Sequence, residues 1–270
     1  MSPRYEQPSP RYGAIDYDYA STMASLDPAD DGPVWMVNLM KYRERAEYSD
    51  GRKTNFTGAE ADDLYAPLEI LAELGAEVAF FGTVQSQIVG ESPQWDRVGV
   101  VKYPTRASFI AMQTRPDFMA KHHHKEAGME FTIIVGSTPP PTTTTLGELP
   151  SWTEVEFPAV RPDFPVVVLH LSSTPLQVFR PEDVNARVAL RHGLRPGGTW
   201  PVEGTIIGDD RRWSEVRWDA YPSRAAFDAV AYDPERLAAV ATSEPSEGRD
   251  EYVLVVRPFI DTITKSLHKN

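Results

Sequence analysis

A block of sequence occurs twice in this chain, and that repetition limits its folds more than any other feature. Tyr103-Pro104-Thr105-Arg106-Ala107-Ser108-Phe109 returns as Tyr221-Pro222-Ser223-Arg224-Ala225-Ala226-Phe227. Trp95 and Trp213 precede the two blocks at equal spacing. Pro116 and Pro234 follow them at equal spacing, each beside an Asp. Upstream, Gly82-Thr83-Val84 answers Gly204-Thr205-Ile206, and Pro33 to Leu39 answers Pro165 to Leu171. Downstream, Phe131 to Val135 answers Tyr252 to Val256. Matched blocks in one order read as a tandem duplication, so the fold must be built from two like units.

Each unit reads as β-α-β-β-α-β. A Val/Leu-rich run of strand length opens it, over 33–40 and 165–172. A helical segment follows, Ala59 to Leu74 with Leu64, Leu68 and Leu71 at helical spacing, stopped by Gly75. Its counterpart starts at Pro181-Glu182-Asp183, carries Val184, Val188 and Leu194 on its apolar face, and has Gly193 near its end. Two strands come next, 77–89 with 94–103 and 200–208 with 212–220. Thr105 and Ser223 are placed to cap the second helices, which break before Pro116 and Pro234. Final strands are expected over 130–137 and 251–258.

This order is ferredoxin-like. One copy makes an antiparallel sheet with both helices on one face, and two copies can press their bare faces together. The expected fold class is therefore α+β: two tandem ferredoxin-like units forming a dimeric α+β barrel within one polypeptide. The expected organisation is an N-terminal extension (1–32), unit 1 (33–138), a Pro/Thr-rich linker (139–163), unit 2 (164–260) and a tail (261–270). Met23 to Leu26 reads as a short helical turn. The space between the two sheets is the expected small-molecule cavity.

Composition narrows the function classes. A formal charge of −12 argues against nucleic acid or an anionic membrane as partner. Cysteine is absent, which excludes disulfides, zinc–thiolate sites and thiol nucleophiles. No stretch approaches the ~18 apolar residues of a membrane span, and the start of the chain lacks a signal-peptide pattern. A cytoplasmic protein is the expectation. No glycine-rich nucleotide motif, phosphate loop or Gly-x-Ser-x-Gly elbow is present.

Pro33 to Tyr42, Tyr48-Ser49-Asp50-Gly51, the Trp95…Tyr103-Pro104-Thr105-Arg106-Ala107 block and His123 to Glu130 together resemble the DUF1330-type branch of the dimeric α+β barrel superfamily. The resemblance covers residues 24–138. Over 164–259 it rests on the Trp and Tyr-Pro-Ser-Arg-Ala blocks alone. The superfamily includes cofactor-free monooxygenases, isomerases, cyclases and haem proteins. The resemblance implies that Asn38 and the pair His123-His124 are functional; the family's Arg after that pair is Lys125 here, and its Glu is Glu130. His170 stands in unit 2 where Asn38 stands in unit 1, while the His pair gives way to Thr242-Ser243-Glu244-Pro245.

The histidine cluster has several readings. Three consecutive histidines on a helix point about 100° apart and cannot converge on one ion. His122 with Glu126 shares a face and is a possible metal pair, while a cluster near a helix end also complements the dipole. A neutral imidazole suits removal of a proton alpha to a carbonyl or from a phenol. Asn38 and His170 end apolar runs, so each needs a partner or a cavity. Arg106 and Arg224 recur, which favours pairing with an acidic residue of their own unit. Lys41, Tyr42, Arg43 and Arg45 open a loop, longer in unit 1, that suits a lid. Trp35, Tyr65, Phe80, Phe81 and Trp200 are candidate pocket aromatics.

The leading expectation is a cofactor-independent isomerase, cyclase or monooxygenase acting on a small apolar carbonyl or aromatic compound. His123 or His124 would take the proton, Asn38 and His170 would bond the substrate oxygen, and Lys41, Tyr65 and Trp35 would help bind it. The alternatives are a non-catalytic ligand-binding or structural barrel and, third, a haem-binding protein. No metal site is expected. The two units act as a pseudo-dimer, with further homo-oligomerisation compatible.

Overall fold

The computed structural model describes residues 9–140, 149–240, 249–263 and 266. In chain order its elements are β1 (Ala14–Ile15), α1 (Tyr17–Ser25), β2 (Val34–Tyr42), α2 (Gly58–Tyr65), α3 (Leu68–Glu73), β3 (Glu77–Val89), β4 (Arg97–Tyr103), α4 (Arg106–Gln113), α5 (Pro116–Gly128) and β5 (Met129–Ser137). The second half continues with β6 (Val166–Ser172), α6 (Val184–Arg191), β7 (Arg195–Gly208), β8 (Glu215–Tyr221), α7 (Arg224–Tyr232), α8 (Pro234–Val240) and β9 (Glu251–Asp261).

Proline and glycine set most boundaries. The segment read as one helix over 59–74 is two, because Pro67 offers no N–H to carry the ladder across. α3 stops at Gly75 (φ 69°) and α6 at Gly193 (φ 93°), where a left-handed backbone suits glycine. Pro181 to Asp183 lie outside α6, with Asp183 at its N-cap position. β7 starts at Arg195, earlier than the sequence pattern suggests. The expected turn at Met23 to Leu26 is the end of the longer α1. Thr105 and Ser223 do cap their helices, accepting from the N–H groups of Ser108 and Ala226. The breaks before Pro116 and Pro234 are present.

The strands close into one antiparallel barrel. The order runs β7-β5-β2-β4-β3-β9-β6-β8, and β8 pairs back onto β7; the short β1 is added to β7. Each half contributes four neighbouring strands in the same relative order, and the seams between halves are β5–β7 and β3–β9. Arg106 joins the halves further. It pairs with Asp31 and, across the seam, with Glu203, whereas Arg224 pairs with Asp228 and donates to Ser86 of the other half. Asp31 and Asp163 each accept two backbone N–H groups at the start of α4 and α7.

Strand alternation sorts side chains to two faces. Trp35, Val37 and Leu39 of β2 turn into the barrel, as do Val167, Leu169 and Leu171 of β6. They meet Phe80, Trp95, Trp200, Trp213 and Trp218. Ring centres are 6.1 Å apart for Trp35–Trp200, 5.7 Å for Trp200–Trp218 and 5.3 Å for Phe80–Trp218. This corrects the expected location of the cavity, since five tryptophans and Phe80 fill the space between the sheets. Burying aromatic rings there supplies a large share of the hydrophobic stabilisation.

The terminal and linking segments are also structural. Ser266 accepts from Trp35 Nε1 at 2.9 Å, and its carbonyl accepts from Lys102 at 2.7 Å. Within the linker, Trp152 Nε1 donates to the Gly193 carbonyl and Phe157 O accepts from Ser223. Residues 141–148 and the Thr242 to Pro245 region lie outside the described residues.

The outer sheet face of the first half is where the candidate site lies. There α2 and α5 pack unusually closely. A Cβ on Gly128 would lie 2.3 Å from the Gly58 carbonyl oxygen, so only glycine permits this approach. The contact sets Asp62 and Tyr65 of α2 against Lys125 and His122 of α5.

Candidate functional site

A cavity of about 300 Å3 lies between the outer face of the first sheet and helices α2 to α5. Its floor includes Met36, Asn38 and Met40 of β2 and Gly99 and Val101 of β4. Asn38 faces it because it shares the parity of Met36 and Met40, opposite to Val37 and Leu39. Gly99 leaves the space open, since a Cβ there would come within 3.3 Å of Phe81. The roof includes Leu71, Phe109, Met112 and Phe118, with Ile207 and Ile260 reaching in from the second half. A wider cleft of about 860 Å3 runs beside α1, and two of the arginines that line it are occupied: Arg106 pairs with Glu203 and Arg211 with Asp209.

Polar groups gather at one side of the smaller cavity. Phe118, His122 and Lys125 follow one another on α5 at spacings of four and three, so one helix face presents all of them. His122 Nε2 is 3.0 Å from the Tyr12 hydroxyl, and its ring packs against Tyr65 and Phe118. Burial, then the Lys125 charge, pushes the His122 pKa down to about 4, so the imidazole is neutral at pH 7. Tyr12 comes from the N-terminal extension, held by the Thr132 N–H bond to its carbonyl. Burial, reinforced by Glu126 and Asp62, raises its pKa far above the ordinary value, and it stays protonated.

Lys125 is 8% exposed, and its Nζ stands 5.4 Å and 5.2 Å from the ring centres of Tyr12 and Tyr65. The Nζ forms no hydrogen bond or ion pair within 4 Å among the described residues. Burial lowers its pKa below the usual lysine value, against the opposing pull of Asp62 and Glu126. Asp62 accepts from the Tyr42 hydroxyl at 2.6 Å; its carboxyl is raised by burial, which outweighs Lys125 and Tyr42. Asn38 donates one amide hydrogen to the Met36 carbonyl at 2.9 Å. Its carbonyl oxygen has no hydrogen-bond partner among the described residues.

The sequence-derived candidates divide. Asn38 and Tyr65 meet in the cavity. His123 and His124 do not: His123 is exposed and bonds the Ala120 carbonyl, and His124 Nδ1 bonds the Tyr48 hydroxyl at 2.7 Å. Trp35 is in the barrel core, and Lys41 pairs with Asp96 at 3.3 Å. The loop after Lys41 borders no part of the cavity; Ala46 and Tyr48 instead pack with Ala61 and Ala127. Phe80 and Trp200 are barrel residues, while Phe81 lines the cavity.

His170 occupies the position in β6 that Asn38 holds in β2, but it meets charge instead of space. Arg217 lies 3.3 Å from its Nδ1 and also pairs with Asp219, and Glu251 lies 3.8 Å away. Gly99 and Val101 of β4 have Arg217 and Asp219 as their counterparts in β8, which fill the equivalent region. Sequence reasoning passed over Tyr12 and Asp62, and it weighed His122 and Lys125 without placing either among the site residues. Helical spacing from Phe118 marks His122 and Lys125, whereas the family resemblance marks His123, His124 and Lys125.

The donor set does not fit haem. Among the described histidines His122 alone borders the cavity, and its Nε2, the usual axial nitrogen, is bonded to Tyr12. No group of His, Asp and Glu among the described residues can hold a metal ion. No described helix is long and apolar enough to cross a membrane.

No family model matches the chain, and no curated protein does. Among solved structures, a protein of unknown function from Rhodopseudomonas palustris is 27% identical, with a TM-score of 0.41, over 48% of this chain and 97% of that one. In its methylated form the same protein is 31% identical, with a TM-score of 0.41, over 47% and 96%. A chlorite dismutase variant from Candidatus Nitrospira defluvii is 11% identical, with a TM-score of 0.44, over 88% and 94%. The likeness to the Rhodopseudomonas palustris protein spans about half of this chain, and the chain's own strands give a mixed α+β fold built on an antiparallel barrel of eight strands.

Proposed function

We propose that the protein is a cofactor-independent enzyme that removes a proton from a small, apolar carbonyl or aromatic compound, as an isomerase, cyclase or oxygenase of cytoplasmic metabolism. The reading includes a duplicated origin, with ferredoxin-like units at 33–138 and 164–260 of which the first holds the site. The observation that carries it is the placement of the His122 imidazole and the under-bonded Asn38 amide on one largely apolar cavity. In the tautomer with Nε2–H donating to Tyr12, His122 presents a lone pair on Nδ1 as the base. The second amide hydrogen of Asn38 is available to a substrate oxygen, where it stabilises the oxyanion formed as the proton leaves. The apolar walls exclude water and favour a ligand of aryl size.

This moves the base from His123 or His124 to His122 and keeps Asn38 in its expected role. The test is solvent deuterium exchange into the α-carbon of acetophenone, followed by NMR. Wild-type protein should accelerate exchange, and His122→Gln should lose about 100-fold or more, the usual weight of a general base. Equal rates in the two proteins would refute the assignment.

A further inference from the structure

Lys125 is a lysine in the wrong place for a structural role. A largely buried ammonium normally has a carboxylate against it. Here the counter-charges stand off: Asp62 is engaged with Tyr42, and Arg11 holds Glu126 at 3.3 Å. The Nζ is left with the faces of Tyr12 and Tyr65 beside the same cavity as His122 and Asn38. An amine sheltered from water, without a fixed ion-pair partner and next to a carbonyl-sized apolar space, is the arrangement of a nucleophilic lysine.

We infer that Lys125 forms a Schiff base with a carbonyl substrate in this cavity. The inference rests on the proposed function and names the chemistry of the same site. The nitrogen lone pair of the neutral amine adds to the carbonyl carbon, and the carbonyl electron pair moves to oxygen, which takes a proton. The carbinolamine then loses water, the nitrogen supplying the electron pair of the new C=N bond, to give the protonated imine. The balance is amine plus carbonyl giving iminium plus water, with one proton taken up. The positive iminium nitrogen then draws electrons from the neighbouring C–H bond, so a base as weak as His122 suffices to remove that proton. Recovery of the lysine needs only the returning water. Burial favours the neutral amine that starts the sequence. The charged and titratable groups facing it are Asp62 and Tyr65 from α2, Tyr12 from the N-terminal segment, and His122 and Glu126 from α5.

The test is reductive trapping on the intact protein. Benzaldehyde with cyanoborohydride, pulsed briefly at pH 7, should label Lys125 before the surface lysines Lys53 and Lys121, with the site read by peptide mass spectrometry. At least ten-fold faster labelling of Lys125 supports the proposal; labelling no faster than at Lys53 overturns it. Lys125→Met and Lys125→Arg, checked by circular dichroism, should both abolish the fast label. Acetophenone exchange separates this proposal from the function it builds on. If exchange survives in Lys125→Met and depends on His122, and no trapping occurs, the Schiff base fails while proton abstraction stands. If trapping occurs at Lys125 but exchange is absent, the nucleophile stands and the proton-abstraction reading fails.

Discussion

Replacing Gly128 with Ala separates two physical effects that act in opposite directions. Helix propensity alone favours Ala over Gly by up to about 1 kcal/mol in a helix interior, and less at the last residue of α5. Packing opposes it. The new methyl would sit 2.3 Å from the Gly58 carbonyl oxygen and 3.0 Å from Ala61 Cβ, and a backbone oxygen has no rotamer to yield. Ordinary contacts begin near 3.4 Å, so α2 and α5 must part by roughly 1 Å. Overpacking of this kind costs about 1–3 kcal/mol. The expected net loss is about 1–2 kcal/mol, or a fall in Tm of roughly 2–8 °C for a chain of this size. Opening the helix pair also displaces Tyr65 and His122, so acetophenone binding should weaken. Gly32→Ala is the matched control, because a Cβ there meets nothing within 4 Å. Differential scanning fluorimetry of both variants decides it. An unchanged or higher Tm for Gly128→Ala would refute the close-approach argument and the account of how the roof is held.

Further expectations follow from the same geometry. Gly99→Val should fill the floor beside Phe81 and abolish acetophenone binding while the far-ultraviolet circular dichroism is kept. His122 and His170 have pKa values pushed down to about 4 and about 3 by burial. Because the unfolded chain takes up their protons first, near pH 6.5, stability should decline as pH falls from about 6.5 towards 4. His122→Gln/His170→Gln should show a shallower decline in urea titrations at pH 7 and pH 4.5, and an identical slope would contradict the assignment. Arg106→Ala, which removes the partner of Asp31, Glu203 and Thr138 at 13% side-chain exposure, should cost about 3 kcal/mol, more than Arg224→Ala at 33%. Equal losses in thermal unfolding would show that the tie across the seam adds nothing.

Much of the fold was legible because similar sequence blocks occur in both halves of the chain. Tyr103-Pro104 and Tyr221-Pro222 end strands and hand over to capped helices for the same local reasons, so each copy supports the reading of the other. The site was less legible. Asn38 stands out as a polar residue in an apolar strand, and its face follows from alternation. Whether that face meets helices or the opposite sheet depends on how the strands close, and the tryptophans take the barrel side. The three consecutive histidines differ only in angle around α5, and the choice of His122 needs the register of that helix against the sheet. Tyr12 is harder still: it reaches the cavity from a segment with almost no secondary structure of its own, positioned by one backbone bond to β5. Lys125 and Asp62 read as ordinary surface charges until Gly58 and Gly128 bring their helices together.

The most direct test of the proposed small-molecule site is methyl NMR with 13C-labelled methionine and 15N-labelled tryptophan, titrated with acetophenone. Met36, Met40 and Met112 border the cavity, while the indoles of Trp200 and Trp218 lie inside the barrel. Saturable shifts are expected at those three methyl groups and none at the two indoles. Shifts at the indoles with silent methionines would place the ligand between the sheets and contradict the proposed site.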